Sequence, residues 1–169
     1  MKFEFIDKKF SLLWDYGWFD LSVFNIIESQ NETQHNRILS NFISSQLYPR
    51  SLCSKPDPWG ADINRHGPFL LDKFSLNWFI HNSFEEFNEK INNAVYDPNF
   101  SQPPSKEQLK LLKSWVNRVK KRVGFIYSLE APSSAKIRVE WAFVWTIFYE
   151  FIWISNSLDK IEVAIIGYD

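Results

Sequence analysis

The sequence predicts an α+β fold, in which an antiparallel sheet with a long C-terminal strand and hairpin packs against two to four helices. Every odd position in 137–153 is apolar, and a second β-rich run at 161–167 follows a short polar loop, which predicts the hairpin. Apolar residues at three-to-four spacing in 32–47, 83–95 and 105–123 predict helices. At 169 residues the chain is within the range of a single domain with its own core.

The stretch VEWAFVWTIFYEFIWISN, residues 139–156, is predicted to be a strand rather than a membrane helix. Its uncharged run is too short to cross a bilayer, and Glu140 and Glu150 flank it. The charged residues fall on even positions, so we expect the odd face to be buried. Even positions from Ala142 to Val144 are also apolar, so the middle of the strand is expected to be covered on both faces. Nineteen residues exceed the usual strand length, which leaves open whether 136–154 is one bent strand or two.

Other strands are indicated by shorter alternating runs. KFEFI at 2–6 alternates as a strand, and KFSLNWFIHN at 73–82 does the same. FIYSLE at 125–130 is predicted to be a further strand. Residues 20–29 fit two structures equally: a helix capped by Asp20, or a strand.

Capping residues mark where two of the helices begin. Ser83 and Glu86 form a capping-box sequence at the start of 83–95. Ser105 is expected to cap the last helix, and Gly124 to end it. The inward stripe of this last helix is predicted to be Leu109, Leu112, Val116, Val119 and Val123.

A long irregular loop is predicted between the first helix and the 73–82 strand. Residues 48–68 hold four of the eight prolines and two of the five glycines. Long loops inside compact domains are often functional, because ordering them needs a reason. Residues 48–68 are therefore candidates for a functional role.

Charge is distributed unevenly along the chain. Residues 105–122 hold seven of the 19 basic residues and one of the 20 acidic ones, which leaves the remainder with a formal net charge of −7. A nucleic-acid-binding domain usually has an overall positive excess. We therefore expect the basic side chains of this helix to be solvated and to add little affinity for DNA or RNA.

Composition bears on compartment and on the kind of surface. Aromatic residues make up 18% of the chain, so large rings are expected in the core and at any binding surface. Cys53 is the only cysteine, which excludes an internal disulfide and fits a reducing cytoplasm. The N-terminal MKFEFIDKK has no apolar signal-peptide core, so we expect a cytoplasmic protein that does not enter the membrane.

Catalytic and metal-binding chemistry has little support in the sequence. The histidines His35, His66 and His81 lie far apart, and a catalytic metal needs about three protein ligands. Cys53 has no histidine at a recognisable spacing, and neither a nucleophile elbow nor a phosphate-binding glycine loop is present. We therefore expect no catalytic residues, no cofactor and no metal.

An acidic and aromatic constellation is the strongest candidate for a binding site. DYGWFD at 15–20 brings Asp15, Tyr16, Trp18 and Asp20 together, and the long loop adds further members. Trp and Tyr are favoured anchors at protein interfaces, and carboxylates steer a basic partner toward a surface. The alternative is a set of core rings with solvated acids. The predicted partner-binding residues are Asp15, Tyr16, Trp18, Asp20, Asp57, Trp59 and Asp62.

In general character the chain resembles the immunity proteins of bacterial polymorphic-toxin and contact-dependent growth inhibition systems. The features that carry the resemblance are the β-rich C-terminus KIRVEWAFVWTIFYEFIWIS…IEVAIIGYD, the DYGWFD segment and the lack of a catalytic motif. The resemblance implies a cytoplasmic protein that binds and neutralises a cognate toxin. The acidic remainder of the chain suggests that this toxin is basic.

Two other functions stay open. One is a small enzyme whose site is dispersed over the loops at Asp57, Asp62 and His66. The other is a nucleic-acid-binding module that uses the basic helix at 105–122.

Overall fold

A computed structural model of the chain describes residues 1–14, 17–28, 34–48, 65–97, 102–134, 136, 138 and 147–168. It is the predicted α+β fold. The strands of the main sheet are β1 (Lys2–Leu12), β2 (Gly17–Glu28), β5 (Phe79–Asn82), β6 (Gly124–Leu129), β7 (Ile147–Ser155) and β8 (Lys160–Tyr168). They are antiparallel and lie in the order β1-β2-β8-β7-β6-β5. A small hairpin joins β3 (Arg65–His66) to β4 (Phe69–Leu70). The described helices are α1 (His35–Ile43), α2 (Phe84–Val95) and α3 (Lys110–Lys121).

The predicted C-terminal hairpin is confirmed where the structure describes it. β7 pairs with β8 from Ile147 opposite Tyr168 to Ile154 opposite Ile161. Residues 139–146 of the predicted strand lie outside the described residues. Both faces of the hairpin are covered, and Glu150, which the alternation assigned to the more polar face, is buried with the apolar residues around it.

The ambiguous segment 20–29 is a strand as far as Glu28. It forms most of β2, which pairs with β1 on one side and with β8 on the other. The segment forms a strand and not the helix capped by Asp20, because it pairs with a strand on each side and its apolar residues fill both faces of the sheet. β1 extends well beyond the predicted 2–6 and carries a bulge, since Phe5 pairs with Phe24 whereas Asp7 pairs with Val23.

Each face of the sheet is covered by its own apolar cluster. Helices α2 and α3 pack on one face, where Phe87 and Trp115 meet with ring centroids 5.4 Å apart. Helix α1 packs on the other, where Phe42 lies 4.9 Å from Phe24 of β2. Within the described residues, no helix is long and apolar enough to cross a membrane.

The strand predicted at 73–82 is correct only for its last four residues. The preceding residues form two short 3₁₀ helices, Leu71–Lys73 and Leu76–Trp78. The Ser75 side chain accepts a hydrogen bond from the amide of Asn77. Such local bonds from serine compete with extended backbone, which explains why alternation alone misled here.

Helix capping was predicted more accurately. The Ser83 and Glu86 capping box is present in both directions. Ser105 exchanges the same pair of bonds with Gln108, but regular helix begins only at Lys110. Val123 was wrongly assigned to the inward stripe: it lies beyond the end of α3 and is 78% exposed, because the helix ends at Lys121.

The basic side chains of the 105–122 segment are exposed, as predicted, with one exception. Arg118 is partly buried, and its guanidinium donates to Glu162 Oε2 at 2.8 Å. Trp115 Nε1 donates to the same oxygen, also at 2.8 Å. A buried carboxylate on β8 thus holds α3 against the sheet. The expectation that the exposed lysines add little nucleic-acid affinity stays a prediction.

Removing the Arg118 guanidinium should show how much its contact with Glu162 contributes to the free energy of unfolding. We expect Arg118→Met to lower the free energy of unfolding by about 2 kcal/mol, because it leaves a buried carboxylate with a single donor. The matched control is Lys110→Met, which breaks an exposed ion pair with Glu107 and should change stability by less than about 0.5 kcal/mol. Urea unfolding followed by tryptophan fluorescence measures both. Equal effects of the two substitutions would contradict the assignment.

Candidate partner-binding surface

Two of the seven predicted partner-binding residues belong to the described part of the chain. Trp18 and Asp20 lie in β2, directly after the turn that joins it to β1. The other five, Asp15, Tyr16, Asp57, Trp59 and Asp62, lie outside the described residues. The candidate partner-binding surface is therefore described by the residues that surround Trp18.

The indole of Trp18, near the start of β2, lies against Gly167 of the neighbouring strand β8. A Cβ atom on Gly167 would come within 2.3 Å of the indole, so only glycine allows this close approach. The indole stacks on Phe10 of β1, with centroids 6.4 Å apart and ring planes 24° apart. Trp18 is partly exposed, so it is neither a core residue nor a fully solvated ring.

The apolar side chains next to Trp18 are exposed. Phe10 is 42% exposed and Leu12 is 55% exposed. Leu12 pairs directly with Trp18 across the two strands, and Phe10 pairs with Asp20, so these side chains share one face of the sheet. We call Phe10, Leu12 and Trp18 the apolar shelf. Sequence reasoning missed Phe10 and Leu12, although they belong to the alternating β1 pattern.

The backbone beside the shelf points away from the sheet. Leu13 N donates to Gly17 O at 2.8 Å, which makes these two residues a hydrogen-bonded pair at the end of the ladder. Hydrogen-bonded and non-hydrogen-bonded pairs alternate along an antiparallel ladder. Lys8, Phe10 and Leu12 therefore direct their N–H and C=O groups to the side of β1 that faces away from β2, and β1 is an edge strand among the strands that the structure describes.

Asp20 is placed inside the protein instead of at its surface. Its side chain is 1% exposed and lies 2.9 Å from Lys8 Nζ. Burial raises the pKa of Asp20 to about 6, although Lys8 and the Ser22 hydroxyl act in the opposite direction. As a buried group, Asp20 fixes β1 to β2 through Lys8 and presents no carboxylate to the surface of the isolated chain.

A second buried polar group lies on the same face of the sheet. Glu150 Oε2 is 2.7 Å from His66 Nε2 and accepts a hydrogen bond from the Tyr48 hydroxyl at 3.1 Å. The Tyr48 ring stacks on His66 at 4.0 Å. Burial, together with the neighbouring carboxylate, raises the pKa of Tyr48 well above its ordinary value. Both members of the His66–Glu150 pair are fully buried, so they hold the small hairpin on the sheet.

The enzyme hypothesis is not strengthened by these contacts. His66 has its partners in Glu150 and Tyr48, whereas Asp57 and Asp62 lie outside the described residues. Across the described ranges, no group of three or more His, Cys, Asp or Glu side chains is placed to hold a metal ion.

Comparison with known proteins finds no family and only distantly similar solved structures. No family model matches the chain, and no curated protein matches it. A crystal structure of citrus MAF1 is similar over 93% of this chain and 90% of that chain, with 15% identity and a TM-score of 0.46. A second crystal form of citrus MAF1 is similar over 93% and 91%, with 14% identity and a TM-score of 0.43. At TM-scores this low the similarity carries no argument about function.

The raised pKa of Asp20 predicts a pH dependence of stability. Because the folded-state pKa of about 6 exceeds the ordinary 3.8, the folded chain binds the proton more tightly than the unfolded chain. The stabilisation that protonated Asp20 adds to the free energy of unfolding is fully present below about pH 4. It is lost as pH rises through about 6, and the whole change amounts to about 3 kcal/mol. The free energy of unfolding of the wild type minus that of Asp20→Asn should therefore fall as the pH rises.

Urea unfolding at pH 4 and pH 7 measures this difference. Asp7→Asn, which removes an exposed carboxylate from the neighbouring strand, controls for the loss of one negative charge. A wild-type minus Asp20→Asn difference that does not change with pH would show that the carboxyl is hydrated.

Proposed function

We propose that the chain is a protein-binding module that captures a partner at the apolar shelf and the open edge of β1. We further propose that the partner is a protein toxin, which the chain neutralises in the cytoplasm. The observation that supports the binding role is a cluster of the exposed Phe10 and Leu12 with the partly exposed Trp18, beside a strand that has no partner on its outer side among the described residues. Exposed apolar residues at a sheet edge are an established means of recruiting a partner strand.

Only part of β1 suits such a partner. The bulge at Ile6 shifts the pairing register of β1, and bulges at edges protect a sheet from unwanted pairing. Residues 8–12 beyond the bulge are regular and lie beside the shelf. A partner strand would hydrogen-bond to Phe10 and Leu12 and place its own apolar side chains on the shelf rings.

Charge supports a basic partner. Outside 105–122 the chain has a formal net charge of −7, which favours encounter with a cationic protein. The basic face of α3 lies on the opposite side of the sheet from the shelf, since Trp115 packs with Phe19, which alternates with Trp18 along β2. The proposed toxin would therefore approach the face that is remote from these lysines.

Substitutions on the shelf should weaken binding without unfolding the chain. We expect the double substitution Phe10→Ala/Leu12→Ala to weaken binding at least about tenfold, because these two side chains are about half exposed in the free chain and would be buried only in the complex. Trp18→Ala should cost at least about 2 kcal/mol of binding. Val123→Ala, which shortens an exposed apolar side chain remote from β1, should leave affinity unchanged.

The assay begins with tagged protein that captures partners from its native host. Each captured protein is expressed alone and together with this chain, and its affinity for the variants is measured by biolayer interferometry. Thermal melts establish that each variant is folded. The proposal requires a captured protein that stops growth when alone, growth restored by this chain, and restoration lost with the shelf variants. Turnover of a small molecule by the purified chain, with no protein partner captured, would favour the enzyme hypothesis instead.

A further inference from the structure

The fold brings together two histidines that are far apart in the sequence. His35 is the first residue of α1, and His81 lies in the edge strand β5. Their ring centroids are 5.8 Å apart. His81 pairs with Tyr127 of β6, and the His35 ring stacks on Phe125 of the same strand at 3.7 Å.

Hydrogen bonding fixes which nitrogen of His35 carries its proton. The Tyr127 hydroxyl donates to Asn36 Oδ1 at 2.6 Å, so the phenolic oxygen is available as an acceptor. His35 Nδ1 contacts that oxygen and must therefore be the donor. This leaves Nε2 with a free lone pair, and no hydrogen-bond partner of Nε2 lies among the described residues. A histidine whose second nitrogen donates to a neighbour is the usual arrangement in metal ligands.

The protonation state of His35 also suits a metal ligand. Burial lowers the pKa of His35, and the nearby His81 lowers it further. Metal ions bind the neutral imidazole, so a depressed pKa favours binding at neutral pH. His81 is exposed, which leaves its ring free to turn toward an ion.

The separation of the rings agrees with a shared ion. Metal–nitrogen bonds of about 2.0–2.1 Å place an imidazole centre about 3.2 Å from the ion, so two rings on one ion lie about 4.5–6.4 Å apart for nitrogen–metal–nitrogen angles from about 90° to about 180°. We propose that His35 Nε2 and His81 bind one first-row transition metal ion, Cu²⁺, Ni²⁺ or Zn²⁺. The described residues form no group of three or more His, Cys, Asp or Glu side chains that could hold a metal ion, so water would complete the coordination.

Such an ion would join the start of α1 to the edge strand β5. These elements are distant in sequence, and binding to the folded chain alone raises its melting temperature by mass action. The affinity should follow the order Cu²⁺ above Ni²⁺, since two imidazoles without a rigid third ligand impose little geometric selection.

Isothermal titration of tag-free protein with each metal ion tests the site. We expect one ion per chain, and at least a tenfold loss of affinity in His35→Gln and in His81→Gln. Tyr127→Phe removes the acceptor that orients His35 and should weaken binding without abolishing it. Tyr149→Phe, the same change at a partly buried tyrosine on β7, is the matched control and should bind as wild type.

The Cu²⁺ electron paramagnetic resonance spectrum supplies a second readout. It should show coupling to two imidazole nitrogens, reduced to one in either single histidine variant. His81 is exposed, so its substitution does not threaten folding, and melts without metal check His35→Gln. Wild-type affinity in His81→Gln, or an unchanged spectrum in that variant, would overturn the proposal.

Discussion

The central strands β7 and β8 are covered on both faces, and this constraint organises the rest of the structure. A carboxylate placed among them has no access to water, so it must find its partners inside. Glu162 does so with Trp115 and Arg118 of α3, and Glu150 with His66 and Tyr48. Each buried acid therefore fixes a covering element to one face of the sheet, in addition to the apolar contacts beneath that element.

Coverage declines toward the edge at β1, and this is where a binding role fits best. Asp20 still lies inside and pairs with Lys8, which secures β1 to the sheet. On β1 itself, Phe10 and Leu12 are exposed, and no other described strand pairs with the outer side of β1. A rigid, well-anchored edge suits recognition, because little ordering is needed when a partner binds.

Sequence periodicity predicted much of the fold and less of the site. The period of two located β7 and β8, and capping chemistry located α2, since both signals are local. Periodicity shows on which face of a strand a residue lies, but it does not show which helix or hairpin covers that face. The burial of Glu150 was therefore not predicted. Trp18 was identified from its type, whereas the pairing of His35 with His81 depends on a long-range contact that no local pattern encodes.

Amide hydrogen exchange, measured residue by residue on the free chain, tests directly whether the outer side of β1 is uncovered. If β1 is an uncovered edge, the amides of Phe10 and Leu12 point to solvent, whereas those of Lys9 and Ser11 bond to β2. We expect the amides of Phe10 and Leu12 to exchange at least about tenfold faster than those of Lys9 and Ser11. Equal, strong protection of all four amides would contradict it, because the edge would then already be paired.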